Sequence, residues 1–518
     1  LSALKEQPYL DDLDKRSNKV CTVHQIKKNL TANALGQGWS ALTSLIVVPL
    51  YLHFVGAEGF GLIGFFATLC ATLAILDGGL GATVTRESAT LNQVEGIQRE
   101  QLLTTLRTIE TIFWGIAAIA GLVVALLAPF IASDWMKISP AEVETTTDAL
   151  RLMGAAVVLQ FPVAFYSGSM VGQQRQVRLN VIGAVATTAR ALGAVIVLWI
   201  LSPTVAAFFA WQCIVGILTL IALYIATWRS VDTQGTPRFK LASLRRTGRF
   251  TVGVGAINVL ALLLTQTDKI VLSKVLPLQY FGYYMVAWTA GTVALRLTGP
   301  IFNAYYPHIT QLVSRADSVS ELLHDYMRGA SLMATAVVPL SLWITFFGRD
   351  LLLFWTRDQN LAAATHLPLA FICIGTMFNA LMHFPYALQL AQGRTKIPLV
   401  QNIIASVLVV PMTVYLAERY SLPGAALPWL LLNLGYMLFA APLMYRTLLS
   451  EARRSWCVTA VAKPIIVVTA ITVIFYLIST FFEDQVGVAA IAASSLIASY
   501  LACARMFGWK LMHVKFFI

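Results

Sequence analysis

The chain is 518 residues long, 58% of them hydrophobic and 12% charged, with a mean hydropathy of +0.72. A soluble chain devotes roughly a quarter of its residues to charge, so a water-covered globule is excluded. The net charge of +12, from 37 Lys plus Arg against 25 Asp plus Glu, would point to nucleic acid in a soluble protein; here it has a topological cause, and no nucleic-acid partner is expected.

Apolar residues come in continuous runs of about 20, the length of helix that crosses a hydrocarbon core. Strands of a membrane barrel alternate in and out over about 10 residues and do not give such runs. The prediction is an all-α polytopic membrane protein of about 14 transmembrane helices. In chain order, residues 1–29 are polar and mixed in charge and lack the apolar h-region of a cleavable signal peptide. Six spans follow, at 30–54, 60–83, 106–131, 149–172, 181–202 and 204–228, and form an N-lobe over 30–228. A basic linker at 229–249 leads to six more, at 250–274, 280–302, 329–353, 366–391, 398–417 and 423–445, a C-lobe over 250–446. Two extra helices, 460–482 and 487–507, lie in the segment 447–507, followed by a tail at 508–518.

Cytoplasmic loops retain an excess of Lys and Arg. With the N-terminus inside, 27 of the 37 fall in cytoplasmic segments, against five (Lys137, Lys274, Arg349, Arg357 and Arg419) in the outer loops and rim. Both termini are therefore expected in the cytoplasm, with the basic segments against anionic membrane lipids. Cys21, Cys70, Cys213, Cys373, Cys457 and Cys503 are scattered, without metal-ligand spacing, so no disulfide framework, metal site or cofactor is expected. The outer loops are too short and too poor in paired carboxylates for a catalytic domain, which disfavours a membrane enzyme that assembles polysaccharide.

Transporters are commonly built from repeated halves. Phe60-Gly61 after span 1 matches Phe281-Gly282 after span 7 at an offset of 221, and Glu58 then falls on Gln279. Between spans 4 and 5, Gln174-Arg175 matches Gly393-Arg394 between spans 10 and 11, with an Arg-to-Arg offset of 219. Because six spans is an even number, both halves enter the membrane in the same direction. The reading is two parallel six-helix lobes around a central cavity, with the last two helices as an appendage.

Three segments carry a family resemblance: Val48-Pro49-Leu50-Tyr51, Gly56-Ala57-Glu58-Gly59-Phe60-Gly61 and Leu76-Asp77-Gly78-Gly79-Leu80-Gly81. In the second half, Thr267-Asp268-Lys269-Ile270-Val271-Leu272-Ser273 and Tyr280-Phe281-Gly282-Tyr283-Tyr284 extend it. Together they resemble Wzx-type polysaccharide or O-antigen flippases of the multidrug/oligosaccharidyl-lipid/polysaccharide (MOP) exporter superfamily. The resemblance implies translocation of an undecaprenyl-diphosphate-linked oligosaccharide, such as an O-antigen repeat unit. It implies transfer from the cytoplasmic to the periplasmic leaflet of a bacterial inner membrane by alternating access. Coupling to H+ or Na+ and association with a polysaccharide polymerase are compatible with it. The alternative is a MATE-like cation-coupled drug or metabolite antiporter of the same architecture.

A lipid-linked sugar needs a wet, cationic path, and ionisable residues inside spans are costly enough that they usually face a cavity. Arg296 is the leading diphosphate ligand, since a guanidinium pairs bidentately with phosphate oxygens. Lys269 either joins it or pairs with an acid of a neighbouring helix. Asp268 is adjacent, but neighbours on a helix point about 100° apart, so the two are not expected to neutralise each other. The offset brings Asp77 level with the Arg296 region of the opposing lobe, where the two could pair as a gate, and Asp77 and Asp268 are the candidates for coupling or gating. Arg190 lines the cavity or pairs with Glu110 or Asp148. His53 lies at the outer rim, as a proton sensor or an interfacial polar residue. Tyr305, Tyr306 and His308 read as an aromatic belt or a sugar-stacking surface.

Overall fold

The computed structural model describes residues 7–91, 96–229, 239–240, 248–313, 319–393, 396–482 and 484–508, and they hold helices with no β-strand among them. Most of the expected linker and nearly all of the expected tail lie outside the described residues. The first lobe comprises α1 (Gln7–Leu73), α2 (Leu80–Thr90), α3 (Gly96–Phe130), α4 (Val143–Gln160), α5 (Val163–Gly172), α6 (Gln176–Ile200) and α7 (Val205–Trp228). The second comprises α8 (Gly248–Val275), α9 (Leu278–Gly291), α10 (Leu295–Val313), α11 (Val319–Thr356), α12 (Gln359–Leu381), α13 (His383–Ala391), α14 (Lys396–Gly435) and α15 (Ala441–Leu448). The chain continues through α16 (Ser450–Ser455), α17 (Lys463–Ser479) and α18 (Gln485–Met506).

Ten stretches of the described residues are long and apolar enough to cross a membrane, fewer than the fourteen separate spans expected. Two of them, 31–77 and 398–446, each contain a chain reversal, so that one stretch holds two legs. In α1 the pivot is Gly56, at φ 69°, a backbone conformation that a Cβ would disfavour. The first leg runs with α6, Asn33 Nδ2 donating to Gln176 Oε1 and Tyr51 Oη to Ala191 O. The second runs with α7, where Gly59 abuts Val205 and Phe66 meets Phe209. In α14 the pivot is Ser421, and Tyr436 returns to donate to Asn402 Oδ1. The legs α8 and α9–α10, at the expected spans 250–274 and 280–302, are not among the ten.

Several helices are broken inside the bilayer, for local reasons. Gly78 and Gly79, both left-handed, separate α1 from α2, and Pro162, which has no N–H to donate, opens α5. Phe161 and Met382, where α4 and α12 end, are 221 residues apart, so the fourth leg of each lobe breaks at the same place.

The lobes meet through a two-fold contact at the end of the molecule that carries Gly56. A Cβ added to Gly61 would lie 2.7 Å from Leu278 O, and one added to Gly282 would press on Ala57 O. Gly61 and Gly282 are 221 apart, and so are Ala57 and Leu278; the two contacts are one contact seen from either side, as an isologous interface requires. Gly64 faces its own counterpart, Met285. Two indoles reinforce this end. Trp135 Nε1 donates to Ser273 Oγ at 3.0 Å, and Trp355 Nε1 donates to Leu45 O at 3.0 Å. A backbone bridge joins Lys137 to Pro277.

Burial follows the same division. One apolar core draws on both lobes at the Gly56 end, including Val47, Phe209, Phe281 and Trp429. At the opposite end, toward the linker, each lobe keeps a core of its own, around Leu106 and Phe165 in one and Tyr326 and Phe384 in the other. The lobes share one core at the Gly56 end and keep separate cores toward the linker, where α2 still lies against α8 and α1 against α10.

Candidate substrate path between the lobes

Arg296 lies near the start of α10, beside the break that splits the eighth leg, and α10 runs against α1 at the boundary between the lobes. Its side chain is exposed, and no hydrogen bond or ion pair reaches it among the described residues. One turn on, Gly299 leaves open space beside the helix. Farther along, Phe302 stacks on Tyr306 at 5.3 Å and on Tyr386 of α13 at 6.4 Å, with His383 edge-on at 5.9 Å. Tyr305 packs inward on Phe384, and His308 bonds Asp325 at 2.7 Å. The same helix therefore offers a free guanidinium and, about two turns away, a stacked aromatic surface.

Asp77 does not pair with Arg296. Its Oδ1 accepts Gly81 N–H at 2.7 Å, capping α2 after the Gly78-Gly79 break, because a helix start leaves N–H groups that a nearby carboxylate satisfies. His53 is exposed at the rim and touches Phe54. Arg190 pairs with neither Glu110 nor Asp148. Its Nη1 donates to Gln160 Oε1 at 2.7 Å inside the N-lobe, and its Nε is buried without a partner. Asp148 is held by Arg151, and Glu110 by Arg107, Tyr166 and Trp228.

Lys269 and Asp268 correct the expectation drawn from helix geometry. Lys269 is 3% exposed, and its Nζ donates to Asp268 Oδ1 at 3.0 Å and Oδ2 at 3.1 Å and to Thr265 O at 2.8 Å. Adjacent Cβ vectors do diverge, but the Cα atoms are about 3.8 Å apart and the four-carbon lysine stem curls back across that gap. Two aromatics of α9 complete the group. Tyr284 Oη donates to Asp268 Oδ2 at 2.5 Å, and Nζ lies 3.2 Å from the centroid of the Trp288 ring. The result is a closed, neutral couple between α8 and α9, facing Trp429 of α14 through Trp288.

Sequence reasoning missed Tyr284 and Trp288, although their i,i+4 spacing places them on one helix face. It also missed Trp135 and Trp355, whose separation of 220 almost repeats the offset already found.

The family model described as "Polysaccharide biosynthesis protein" matches residues 26–313, more than half of the chain. The chain belongs to the polysaccharide biosynthesis protein family. A second model, MatE, matches residues 310–415 of this family member, in keeping with the MOP exporter superfamily that its motifs resemble. A Shigella flexneri protein named "Putative O-antigen transporter" is 21% identical over 411 residues, which is 78% of this chain and 94% of that protein. Among solved structures, the lipid II flippase MurJ in an inward closed conformation superposes with a TM-score of 0.65 at 12% identity, covering 92% of this chain and 98% of MurJ. An inward-facing multidrug resistance MATE transporter of the MOP superfamily superposes at 0.63 with 13% identity, over 79% of this chain and 96% of that one. At these identities the superpositions establish the fold: this polysaccharide biosynthesis family member is a multi-pass membrane protein with the two-lobed architecture of MOP transporters.

Proposed function

We propose that the protein is a flippase that carries an undecaprenyl-diphosphate-linked oligosaccharide from the cytoplasmic to the periplasmic leaflet of a bacterial inner membrane. The observation that carries this reading is Arg296, a guanidinium at the lobe boundary with no hydrogen-bond or ion-pair partner among the described residues, followed by the Phe302, Tyr306 and Tyr386 surface. A diphosphate takes up the guanidinium, and sugar faces lie on aromatic rings. The resemblance to a protein named for O-antigen transport supports the substrate class. The excess of Lys and Arg in the loops of the linker end supports cytoplasmic termini. A core shared by both lobes at the Gly56 end, with separate lobe cores toward the linker, lets the linker end part to load substrate from the cytoplasm in an alternating-access cycle. The lobes, 30–228 and 250–446, joined by the basic linker 229–249, move as the two units, and association with a polysaccharide polymerase would receive the exported repeat.

The test is export of lipid-linked sugar in cells, at matched amounts of membrane protein, by Arg296→Ala and Arg296→Lys. The expected result is a tenfold or greater loss for alanine and partial recovery for lysine, which keeps the charge and loses the bidentate fork. Normal export by Arg296→Ala overturns the diphosphate assignment. A periplasm-active reporter fused to Ile518 should stay silent if the C-terminus is cytoplasmic.

The Asp268–Lys269 couple and the MatE match favour a second reading, a cation-coupled antiporter. It predicts H+ or Na+ flux in liposomes that is stimulated by a cationic drug and abolished by Asp268→Asn.

A further inference from the structure

A second site lies on the opposite side of the N-lobe, away from the partner lobe. A hollow of about 520 Å³ between α3, α4 and α7 is lined by Arg107, Trp114, Leu159, Ile217, Ile221 and Tyr224, and it opens outward. Trp114, Ile217, Ile221 and Tyr224 are all substantially exposed, so in a bilayer the hollow faces lipid. Its mouth is polar. Arg107 Nη1 meets Glu110 Oε2 at 2.5 Å, and the guanidinium lies 4.0 Å from the centroid of the Trp228 ring. Glu110 is fully engaged, its Oε1 accepting from Tyr166 Oη at 2.7 Å and Trp228 Nε1 at 3.1 Å. The Glu110 side chain is 7% exposed and that of Arg107 32%, so the guanidinium is the more accessible member of the pair.

Depth and symmetry say what fits there. From Arg107 to Phe130, α3 rises by about 35 Å at 1.5 Å per residue, against a hydrocarbon core of about 30 Å. Arg107 therefore sits in the phosphate layer at the linker end, while Tyr224, Ile221 and Ile217 lead about 10 Å inward along α7. In the C-lobe the corresponding place is filled. Tyr445, 221 residues beyond Tyr224, is completely buried beneath Trp456, with ring centroids 5.3 Å apart, and its hydroxyl meets that of Tyr326 at 2.5 Å. Trp456 belongs to the segment that leads into α17, one of the two extra helices. The chain covers this position in one lobe and leaves it bare in the other.

We propose that the N-lobe hollow binds a membrane phospholipid, with its phosphate on Arg107 and an acyl chain along Tyr224, Ile221 and Ile217. A helix about 10 Å across lies over such a hollow without entering it, whereas a phosphate takes guanidinium N–H donors that the single contact with Glu110 leaves over. A phosphate-headed lipid satisfies both ends.

The test is native mass spectrometry of the full chain, delipidated and then titrated with phosphatidylglycerol. Ile221→Trp, which fills the hollow as Trp456 fills its counterpart, and the double variant Arg107→Ala, Glu110→Gln, which removes both charges together, should each lower occupancy of the tightest-bound lipid about tenfold. Ile221→Trp keeps Arg107 and Glu110, so the test stands even if the double variant fails to fold. Unchanged occupancy in Ile221→Trp overturns the proposal. So does binding of diacylglycerol as tight as that of phosphatidylglycerol, which would remove the role of Arg107. Preferential displacement by undecaprenyl phosphate would make this a substrate site, and disulfide-linked dimers of Ile221→Cys in membranes would make it an interface between copies; either also overturns it.

Discussion

The two lobes repeat one architecture but differ where it matters. At the positions 221 residues before Asp268 and Lys269 stand Val47 and Val48, and all four side chains are buried. A valine pair therefore suffices to build this part of the fold. An ion pair at the same place does not add stability by default, because desolvation offsets most of its attraction. The proposed cation-coupled reading would use this couple, which Tyr284 and Trp288 enclose. The covering differs too: α11 is more deeply buried than its N-lobe counterpart α3, because α17 and α18 lie on α11. The same helical unit meets its own chain on one side of the molecule and lipid on the other.

The largest expected effect tests the first half of that contrast. Asp268→Val alone strands a buried ammonium and should destabilise by about 3–5 kcal/mol, read as a fall in the detergent melting temperature. Asp268→Val with Lys269→Val, which copies the N-lobe, should return stability to the wild-type level or above while transport is lost. A double variant as unstable as the single one would mean that the C-lobe needs the pair to fold.

Next in size, Gly282→Ala places a methyl against the backbone at Ala57 and should cost about 1–3 kcal/mol as overpacking, or spread the lobes at the Gly56 end. Gly64→Ala meets only the Met285 side chain, which can swing away, and should cost less. Spin labels on either side of the seal would report any opening, and equal effects from the two variants would contradict the close backbone approach.

Trp135→Phe and Trp355→Phe each remove one indole hydrogen bond between the lobes, worth about 0.5–1.5 kcal/mol. The acceptors differ, a serine hydroxyl in one and a backbone carbonyl in the other, so urea or thermal titrations read each loss separately, and no loss in either variant would remove the indoles from the seal. The smallest change is expected from Arg190→Met in the N-lobe, within about 1 kcal/mol, since the lost bond to Gln160 is offset by removing a buried, partnerless Nε. Loss of export in this stable variant would bring Arg190 into the substrate path.

Much of this contrast was legible in the residues. The offset of 221 read from Phe60-Gly61 and Phe281-Gly282 is the offset of the contact that joins the lobes, because symmetric close packing demands small residues at matched positions. The offset of 219 at the next repeated loop reappears as a left-handed turn, at Gln174 in one lobe and Gly393 in the other. Less legible were the partners of the charged residues. Arg190 turned to Gln160, Asp77 to the start of the helix that follows it, and Lys269 to the residue beside it.

The sequence by itself determined a helical membrane protein of two repeated lobes, because hydrophobic length, loop charge and glycine spacing are properties of the chain read in order. Tertiary structure alone decided which end is sealed, which ions are neutralised and which face is left to lipid. Those outcomes depend on how far a flexible side chain reaches and on which helix, 100 or more residues away, arrives beside it, and neither distance is written along the chain.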